Sequence, residues 1–170
     1  MATHFNISGE LKQLLAPGGN VKVSKISLTN TQKVSKCKVD LYIEKKLTGK
    51  FYLLKGVELP IGATLIYDDI KFSNTISEFG LYIKLTDGAT FTLTGAIDPT
   101  GTNTNVPGTS TLYTSELSIG DEIVVSGETR IIDCITGDTT ATVSAAWGSD
   151  LAEDSTPDCN PTALVDVIIN

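Results

Sequence analysis

Short β-branched runs, each closed by a glycine turn, fill the stretch from Pro107 to Ser144 and limit the folds open to this chain. The runs are Ile123 to Val125, Ile131 to Ile135 and Thr139 to Val143. This spacing predicts a compact antiparallel meander. Because an isolated meander would leave its edges exposed, we expect it to form a small β-barrel. The apolar residues expected in the barrel core are Ile123, Val125, Ile131 and Val143.

The first half of the chain also has the two-residue period of β-strands. Val39, Leu41 and Ile43 alternate with polar residues and Tyr42, and the stretch from Phe79 to Leu85 alternates in the same way. Such strands have one buried face and one face in water. The stretches Phe51 to Leu54 and Ala63 to Tyr67 are largely apolar on both parities, which predicts strands covered on both faces. Together these strands predict an N-terminal antiparallel β-sandwich.

Charge is distributed unevenly along the chain. All twelve lysines lie in residues 1–86 with seven acids, a net +5, whereas residues 87–170 hold one arginine and thirteen acids, a net −12; the total is −7. This step predicts a β-sandwich domain over 1–86 and a small β-barrel domain over 89–170, the latter ending in a strand from Ala163 to Ile169. Either two solvated surfaces have diverged in composition, or the basic half of one subunit faces the acidic half of another.

Composition favours a folded, soluble protein. The chain is 41% hydrophobic and 19% charged, which is ordinary for a globular domain. No run approaches the roughly 18 apolar residues that cross a bilayer. The first residues lack the basic region and apolar core of a signal peptide. We therefore expect synthesis in the cytoplasm and no association with a membrane.

The three cysteines, Cys37, Cys134 and Cys159, cannot all pair within one chain. A bridge between Cys134 and Cys159 would tie the barrel to the C-terminal segment. Cytoplasmic synthesis favours reduced, buried thiols instead, because free cysteine behaves as a small apolar residue.

Catalytic and metal-binding patterns are missing from the sequence. His4 is the single histidine, which leaves no evident base for a serine or cysteine nucleophile. Asp68 and Asp69 would point to opposite faces of a strand. The acidic loop that holds Asp150, Glu153, Asp154 and Asp158 lacks the spacing and glycine of an EF-hand, so we expect a solvated loop rather than a Ca²⁺ site. No catalytic residue, metal or cofactor is predicted.

Two groups of residues are candidates for binding a partner. Lys33, Lys36 and Lys38, with Lys45 and Lys46, form a basic stretch. The chain has one arginine and this stretch has no interleaved aromatics, so no specific nucleic-acid binding is expected. Tyr42 and Tyr82 lie on the predicted wet parity of their strands. They form either a sugar-stacking or subunit-contact patch, or a cross-strand pair on a half-wet sheet.

Two stretches of the sequence carry resemblances to known proteins. The run PGTSTLYTSELSIGDEIVVSGETRIIDCITGDTTATVSAAW resembles a segment that recurs in structural proteins of tailed bacteriophages. The runs VSKISLTNTQKVSKCKVDLYIEKK, KFYLLKGVELPIGATLIYDDIKF and FGLYIKL are similar to β-rich accessory proteins of T4-like phages, including those that infect cyanobacteria. Neither resemblance carries a catalytic or ligand motif.

The resemblance implies a non-enzymatic component of a phage virion, such as a head decoration, neck or tail-associated protein. It would act through contacts with other virion proteins and with copies of itself, as a homo-oligomer that needs no cofactor. The candidate partner interface is Lys33, Lys36, Lys38, Tyr42 and Tyr82. The alternative is a carbohydrate-binding or adhesion module of a fibre or cell-surface assembly.

Overall fold

Antiparallel β-sheets make up nearly all of the regular structure. The computed structural model describes residues 2–9, 11–45, 48–70, 72–73 and 79–170. The prediction of an all-β protein is confirmed, and the described residues add one four-residue helix. No sheet formed by the described residues is closed on itself. The chain divides into unit 1, residues 1–32, 36–87 and 163–170, and unit 2, residues 33–35 and 88–162.

The described residues of unit 1 form ten strands in two four-stranded sheets and one two-stranded sheet. The strands are β1 (Thr3–Ser8), β2 (Leu11–Leu15), β3 (Lys22–Val23), β4 (Ile26–Asn30), β5 (Cys37–Lys45), β6 (Gly49–Leu59), β7 (Thr64–Tyr67), β8 (Phe72–Ser73), β9 (Phe79–Thr86) and β17 (Leu164–Ile169). The strand orders are β1-β17-β4-β7, β2-β9-β5-β6 and β3-β8. Both four-stranded sheets contribute to one buried apolar cluster, which includes Leu28 and Val167 from the first and Leu41 and Ile83 from the second. Burial of this shared cluster is the main force that stabilises unit 1.

The strand β17 belongs to unit 1, so the expected second domain over 89–170 is wrong at its C-terminal end. It pairs with β1 over Thr3 to Ser8 and with β4 over Ile26 to Asn30, both without a shift in register. Val165, Val167 and Ile169 from its alternating pattern lie in the unit 1 core. The strand is therefore an inner strand of the unit 1 sheet. At the N-terminal side of the main segment of unit 2, the boundary between the units falls between residues 87 and 88.

The two stretches that were expected to be covered on both faces lie in outer strands instead. β6 and β7 are each the last strand of their sheet. Phe51 and Tyr52 in β6 are 47% and 44% exposed, and Ile66 in β7 is 52% exposed. The prediction failed because an apolar composition on both parities does not distinguish a central strand from an edge strand that carries exposed apolar residues.

Unit 2 contains a seven-stranded antiparallel sheet and the short helix. The elements are β10 (Phe91–Thr92), β11 (Ala96–Ile97), β12 (Asn105–Thr109), α1 (Tyr113–Glu116), β13 (Glu122–Val125), β14 (Glu128–Gly137), β15 (Thr140–Val143) and β16 (Asp158–Asn160). The order is β10-β16-β13-β14-β15-β12-β11. The meander β13-β14-β15 expected from the sequence is present. The outer strands β10 and β11 are separated by three residues of chain, so the two edges of the open sheet are close in sequence.

The core of unit 2 corrects the predicted register of β14. Ile123, Val125 and Val143 are buried as expected, but Ile131 is 49% exposed and Ile132 is 1% exposed. The alternation of β14 therefore places the second isoleucine of the pair in the core, beside the buried Trp147 and Tyr113. In a run with two adjacent isoleucines, either parity satisfies the pattern.

The cysteines are free thiols in different environments. Cys37 and Cys159 are buried, as expected, whereas Cys134 is exposed, which contradicts the expectation that all three would be buried. Burial raises the pKa of both the Cys37 and Cys159 thiols, and the carboxylates of Asp87 and Asp121 add to the respective shifts.

The observed division reduces the charge contrast between the two parts of the chain. Unit 1 holds eleven lysines and nine acids, a net +2; unit 2 holds Lys33, Arg130 and eleven acids, a net −9; the total remains −7. The contrast decreases because Lys33 belongs to unit 2, whereas the acidic residues Asp87 and Asp166 belong to unit 1.

Candidate functional site

The side of the sheet β2-β9-β5-β6 that faces away from the unit 1 core carries a row of tyrosines, which we call the tyrosine face. Tyr82 on β9 and Tyr52 on β6 both lie directly opposite Tyr42 on β5. Gln13 on β2 lies opposite Tyr82 and donates its amide N–H to the Tyr82 hydroxyl at 2.8 Å. The row therefore crosses all four strands.

Tyr42 is at the centre of this row and is buried by its neighbours. Its ring stacks on Tyr82 with a centroid distance of 5.6 Å and 12° between the planes. The Tyr52 ring is tilted by 52° against it at 5.5 Å. Tyr42 is thus 1% exposed, although it does not belong to the apolar core cluster. Tyr42 therefore packs against its cross-strand neighbours, whereas Tyr52 and Gln13 are the exposed members of the row.

Two irregularities in β6 determine which residue faces Tyr42. The register of β6 against β5 shifts between Val39 and Leu41 and again between Leu41 and Tyr42. Gly56 lies in the first shift with φ of 60°, and its N–H donates to the Asp40 carboxylate at 2.6 Å. Glycine adopts this left-handed conformation without the steric penalty of a Cβ. Had the register of Val39 with Val57 continued, Leu54 would lie where Tyr52 does.

Two lysines of β6 lie over the rings of this row. The Lys50 ammonium is 4.6 Å from the centroid of the Tyr42 ring, and the Lys55 ammonium is 4.8 Å from that of Tyr52. Attraction between a cation and the negative ring face holds such side chains in place. Neither ammonium forms an ion pair within 4.0 Å with a carboxylate of the described residues.

The Tyr42 hydroxyl is buried, and no described residue accepts a hydrogen bond from it. The Lys50 ammonium lies beside this hydroxyl, and the contact is the first cause of the raised pKa of Lys50. The proximity changes the electrostatics of Lys50 without fully satisfying the hydroxyl. A buried polar atom in this state has lost its hydrogen bonds to water without full replacement, which costs free energy.

The basic stretch predicted at Lys33, Lys36 and Lys38 is divided in the structure. Lys33 belongs to unit 2, where its ammonium donates to the carbonyls of Thr114 and Leu117, each at 3.1 Å. Lys33 therefore holds the C-terminal end of the short helix, where the backbone carbonyls carry partial negative charge.

Lys36 and Lys38 lie in unit 1, and both are exposed. Lys36 forms an ion pair with Glu58 at 2.8 Å, which lowers the pKa of that carboxyl. Lys38 is on the same side of β5 as Tyr42, opposite Glu58 and Thr86. Of the predicted interface residues, the structure thus brings Lys38, Tyr42 and Tyr82 onto one face.

The acidic residues of the Gly148 to Pro161 loop mostly stabilise backbone turns. Asp150 accepts the N–H of Gly101 at 2.9 Å, and Asp154 accepts the N–H groups of Ser126 and Thr156 at 2.7 and 2.9 Å. Asp158 accepts the Thr92 hydroxyl at 2.9 Å. These bonds use the carboxylate oxygens within unit 2.

The described part of the chain contains no group of three or more His, Cys, Asp or Glu side chains placed to hold a metal ion. His4 lines a depression of about 250 Å³ on β1 and β17, together with Phe5, Asn6, Asp166 and Ile168. Asn6 donates to Asp166 there at 2.7 Å. Over the same residues, the structure has no helix of the length and apolarity that crossing a membrane requires.

Comparisons with known proteins leave the family open. No family model matches the chain, and no curated protein matches it. Among solved structures, the chain is similar over its full length to 26% of a serine protease of Aeromonas sobria, with a TM-score of 0.27 and 9% identity.

Two further structures are similar at the same level. The PBSX exported protein XepA matches 99% of this chain and 86% of its own, with a TM-score of 0.31 and 11% identity. The phage phi92 endosialidase matches 95% of this chain and 30% of its own, with a TM-score of 0.32 and 9% identity. TM-scores of this size carry no argument about fold or function.

Sequence reasoning missed Tyr52, Lys50, Lys55 and Gln13 as parts of the face. The shifts in β6 decide which of its residues lies opposite Tyr42, and those shifts depend on sheet pairing that the sequence pattern does not encode. The glycine at position 56, within an otherwise β-forming run, was the available signal of a bulge.

Proposed function

We propose that this chain is a non-enzymatic structural component of a tailed-phage virion that acts through subunit contacts, and that the tyrosine face is its principal contact surface. The observation that carries the proposal is the exposed Tyr52 at the end of an ordered aromatic row, flanked by lysines. Aromatic side chains with a polar tip are enriched at protein interfaces because they bury a large area at low entropic cost. The virion context rests on the sequence resemblance.

The proposed architecture of the two parts fits a mechanical role. In unit 1, the core shared by two four-stranded sheets supports a β-sandwich. In unit 2, the short link between β10 and β11 supports an open, barrel-like sheet, and the pairing of Ile97 with Asp154 adds a further backbone connection. Rigid β-domains present side chains at fixed spacing, as repeated contacts in a particle require.

Cross-linking of intact particles tests this function. Purified particles are treated with an amine-reactive cross-linker and analysed by mass spectrometry. We expect cross-links from Lys38, Lys50 or Lys55 to another virion protein or to a second copy, because these amines surround the tyrosine face. The absence of the chain from purified particles would overturn the virion proposal.

A carbohydrate-binding or adhesion module is the second candidate. The exposed Tyr52 ring and the polar pair of Gln13 and Tyr82 are the features that favour it, since sugars stack on aromatic rings and bond to amides and hydroxyls. The Lys55 ammonium lies over the Tyr52 ring and would have to move to admit a sugar. A glycan array discriminates the two: selective binding that is lost in Tyr52→Ala supports this candidate.

A further inference from the structure

We propose that Lys50 and Lys55 form a two-ammonium docking site for the carboxylates of an acidic polypeptide segment of the partner protein. The inference rests on the proposed function, because it specifies the chemistry of the partner that the tyrosine face meets. The proposed basic contact residues thus lie on β6 and not in the predicted stretch at Lys33, Lys36 and Lys38.

The first reason for this assignment is that two of the predicted lysines already have bonding partners. Lys33 already donates to two backbone carbonyls, and Lys36 is paired with Glu58. A lysine that has such partners must give them up before it binds another group. Lys50 and Lys55 have no ion pair within 4.0 Å with a carboxylate of the described residues, although Glu44 lies opposite Lys50 and adds to its raised pKa. Neither ammonium therefore has to break a described ion pair when it binds an incoming carboxylate.

The ordering of the two side chains is the second reason. Each ammonium lies over the ring of a neighbouring tyrosine, and the two rings have centroids 5.5 Å apart. A free lysine loses rotamer entropy when it binds, whereas a lysine already held over a ring loses less. The rings thus hold two positive charges on neighbouring tyrosines at the edge of the sheet.

The buried hydroxyl of Tyr42 is the third reason. It is a donor without an acceptor among the described residues, and it lies next to the Lys50 ammonium. Because the hydroxyl is buried, the Lys50 side chain must shift before a carboxylate oxygen bound to it can accept from this hydroxyl as well. Hydrogen bonds to ionised acceptors are stronger than neutral ones, so the hydroxyl favours a carboxylate over a neutral ligand.

The position on an outer strand gives access to this site. β6 has one neighbour, β5, among the described strands, and Tyr52 is 44% exposed. Lysines and bulges on an outer strand discourage it from pairing with a further strand. We therefore expect the partner to bind through side-chain carboxylates and not by adding a strand to the sheet.

Binding of the full-length protein to fluorescent poly-L-glutamate at low ionic strength tests the proposal, with anisotropy as the readout. We expect saturable binding that weakens at least about fivefold in Lys50→Gln/Lys55→Gln. The matched control, Lys12→Gln/Lys22→Gln, removes the same two charges from exposed positions on β2 and β3 and should bind nearly as the parent does. Equal losses in both variants would show that only net charge matters and would overturn the site.

A second pair of variants isolates the hydroxyl. Tyr42→Phe should weaken poly-L-glutamate binding severalfold with an unchanged melting temperature, whereas Tyr52→Phe, which removes an exposed hydroxyl, should have little effect. Equal effects of the two variants would remove Tyr42 from the site.

The last part of the test compares poly-L-glutamate with a polyanion that carries phosphates. Single-stranded DNA of matched charge that binds as tightly, with the same dependence on Lys50 and Lys55, would overturn the commitment to carboxylates. Binding to poly-L-glutamate does not require a virion, so this assay and the cross-linking of particles can fail independently.

Discussion

Tyr82 stacks on Tyr42 with 12° between the ring planes, and this contact converts a residue on the outer side of a sheet into a buried one. The outward face of sheet β2-β9-β5-β6 therefore has a small packed layer of its own. The hydrogen bond from Gln13 fixes the position of the Tyr82 ring.

Removal of the Tyr82 ring should destabilise unit 1. Tyr82→Ala loses the stacking contact and exposes Tyr42, for an expected decrease of about 1–3 kcal/mol in the free energy of unfolding. Tyr82→Phe keeps the ring and loses only the hydroxyl that accepts from Gln13, so its decrease should be below about 1 kcal/mol. Urea denaturation measures both; similar decreases for the two variants would argue that the ring contact contributes little.

The two adjacent isoleucines of β14 should respond in opposite ways to the same change. Ile132→Thr places a hydroxyl in the core of unit 2 and removes a buried methyl group, with an expected cost of about 2–4 kcal/mol. Ile131→Thr changes an exposed side chain in a strand and should stay within about 0.5 kcal/mol of the parent. If Ile131→Thr proved the more damaging in thermal or urea unfolding, the observed register of β14 would be wrong.

The three lysines of the predicted basic stretch should differ in their contribution to stability. Lys33→Ala removes two charge-assisted hydrogen bonds to the end of α1 and should destabilise unit 2 by about 1 kcal/mol. Lys38→Ala is the matched control on an exposed strand position and should leave the urea midpoint almost unchanged. Lys36→Ala, which removes an exposed ion pair, should behave like the control.

The thiols should show graded reactivity. Cys134 is exposed, whereas burial keeps Cys37 and Cys159 protonated and covered, so a thiol reagent at mildly alkaline pH should modify one cysteine per native chain and three in denaturant. Cys134→Ser should abolish the fast reaction. Rapid modification of two or more thiols in the native protein would contradict the observed burial.

Alkaline pH should destabilise the fold through three buried groups. The pKa values of Cys37 and Cys159 are raised above the ordinary 9.0, and that of Tyr113 is raised by burial from 10.0 to about 12. The unfolded chain therefore loses these protons first, so the free energy of unfolding should fall as the pH rises above about 9. The slope should be shallower in Cys37→Ala/Cys159→Ala when urea midpoints are compared across this range; an equal slope would mean that other groups cause the decline.

Alternation in the sequence was sufficient to predict β5, β9 and the meander of unit 2, because each has one clear apolar parity. It was insufficient where the pattern is ambiguous, as in the Ile131 and Ile132 pair or the apolar run of β6. It also could not assign β17, because a short strand with alternating valines fits any sheet that offers a core. For the candidate site, the sequence indicated Tyr42, Tyr82 and Lys38, but not Tyr52, whose position depends on the two register shifts of β6.

The insertion of β17 between β1 and β4 also sets an order in time. During translation, all of unit 2 emerges from the ribosome before the strand that completes the first sheet of unit 1. Unit 2 can therefore fold while β1 and β4 still lack the neighbour that joins them, and contacts between residues as distant as Thr3 and Ile169 form only after unit 2 has been synthesised. Until β17 is made, β1 and β4 can each pair with the β17 strand of another copy. We therefore expect domain-swapped dimers as the misfolded product of this topology.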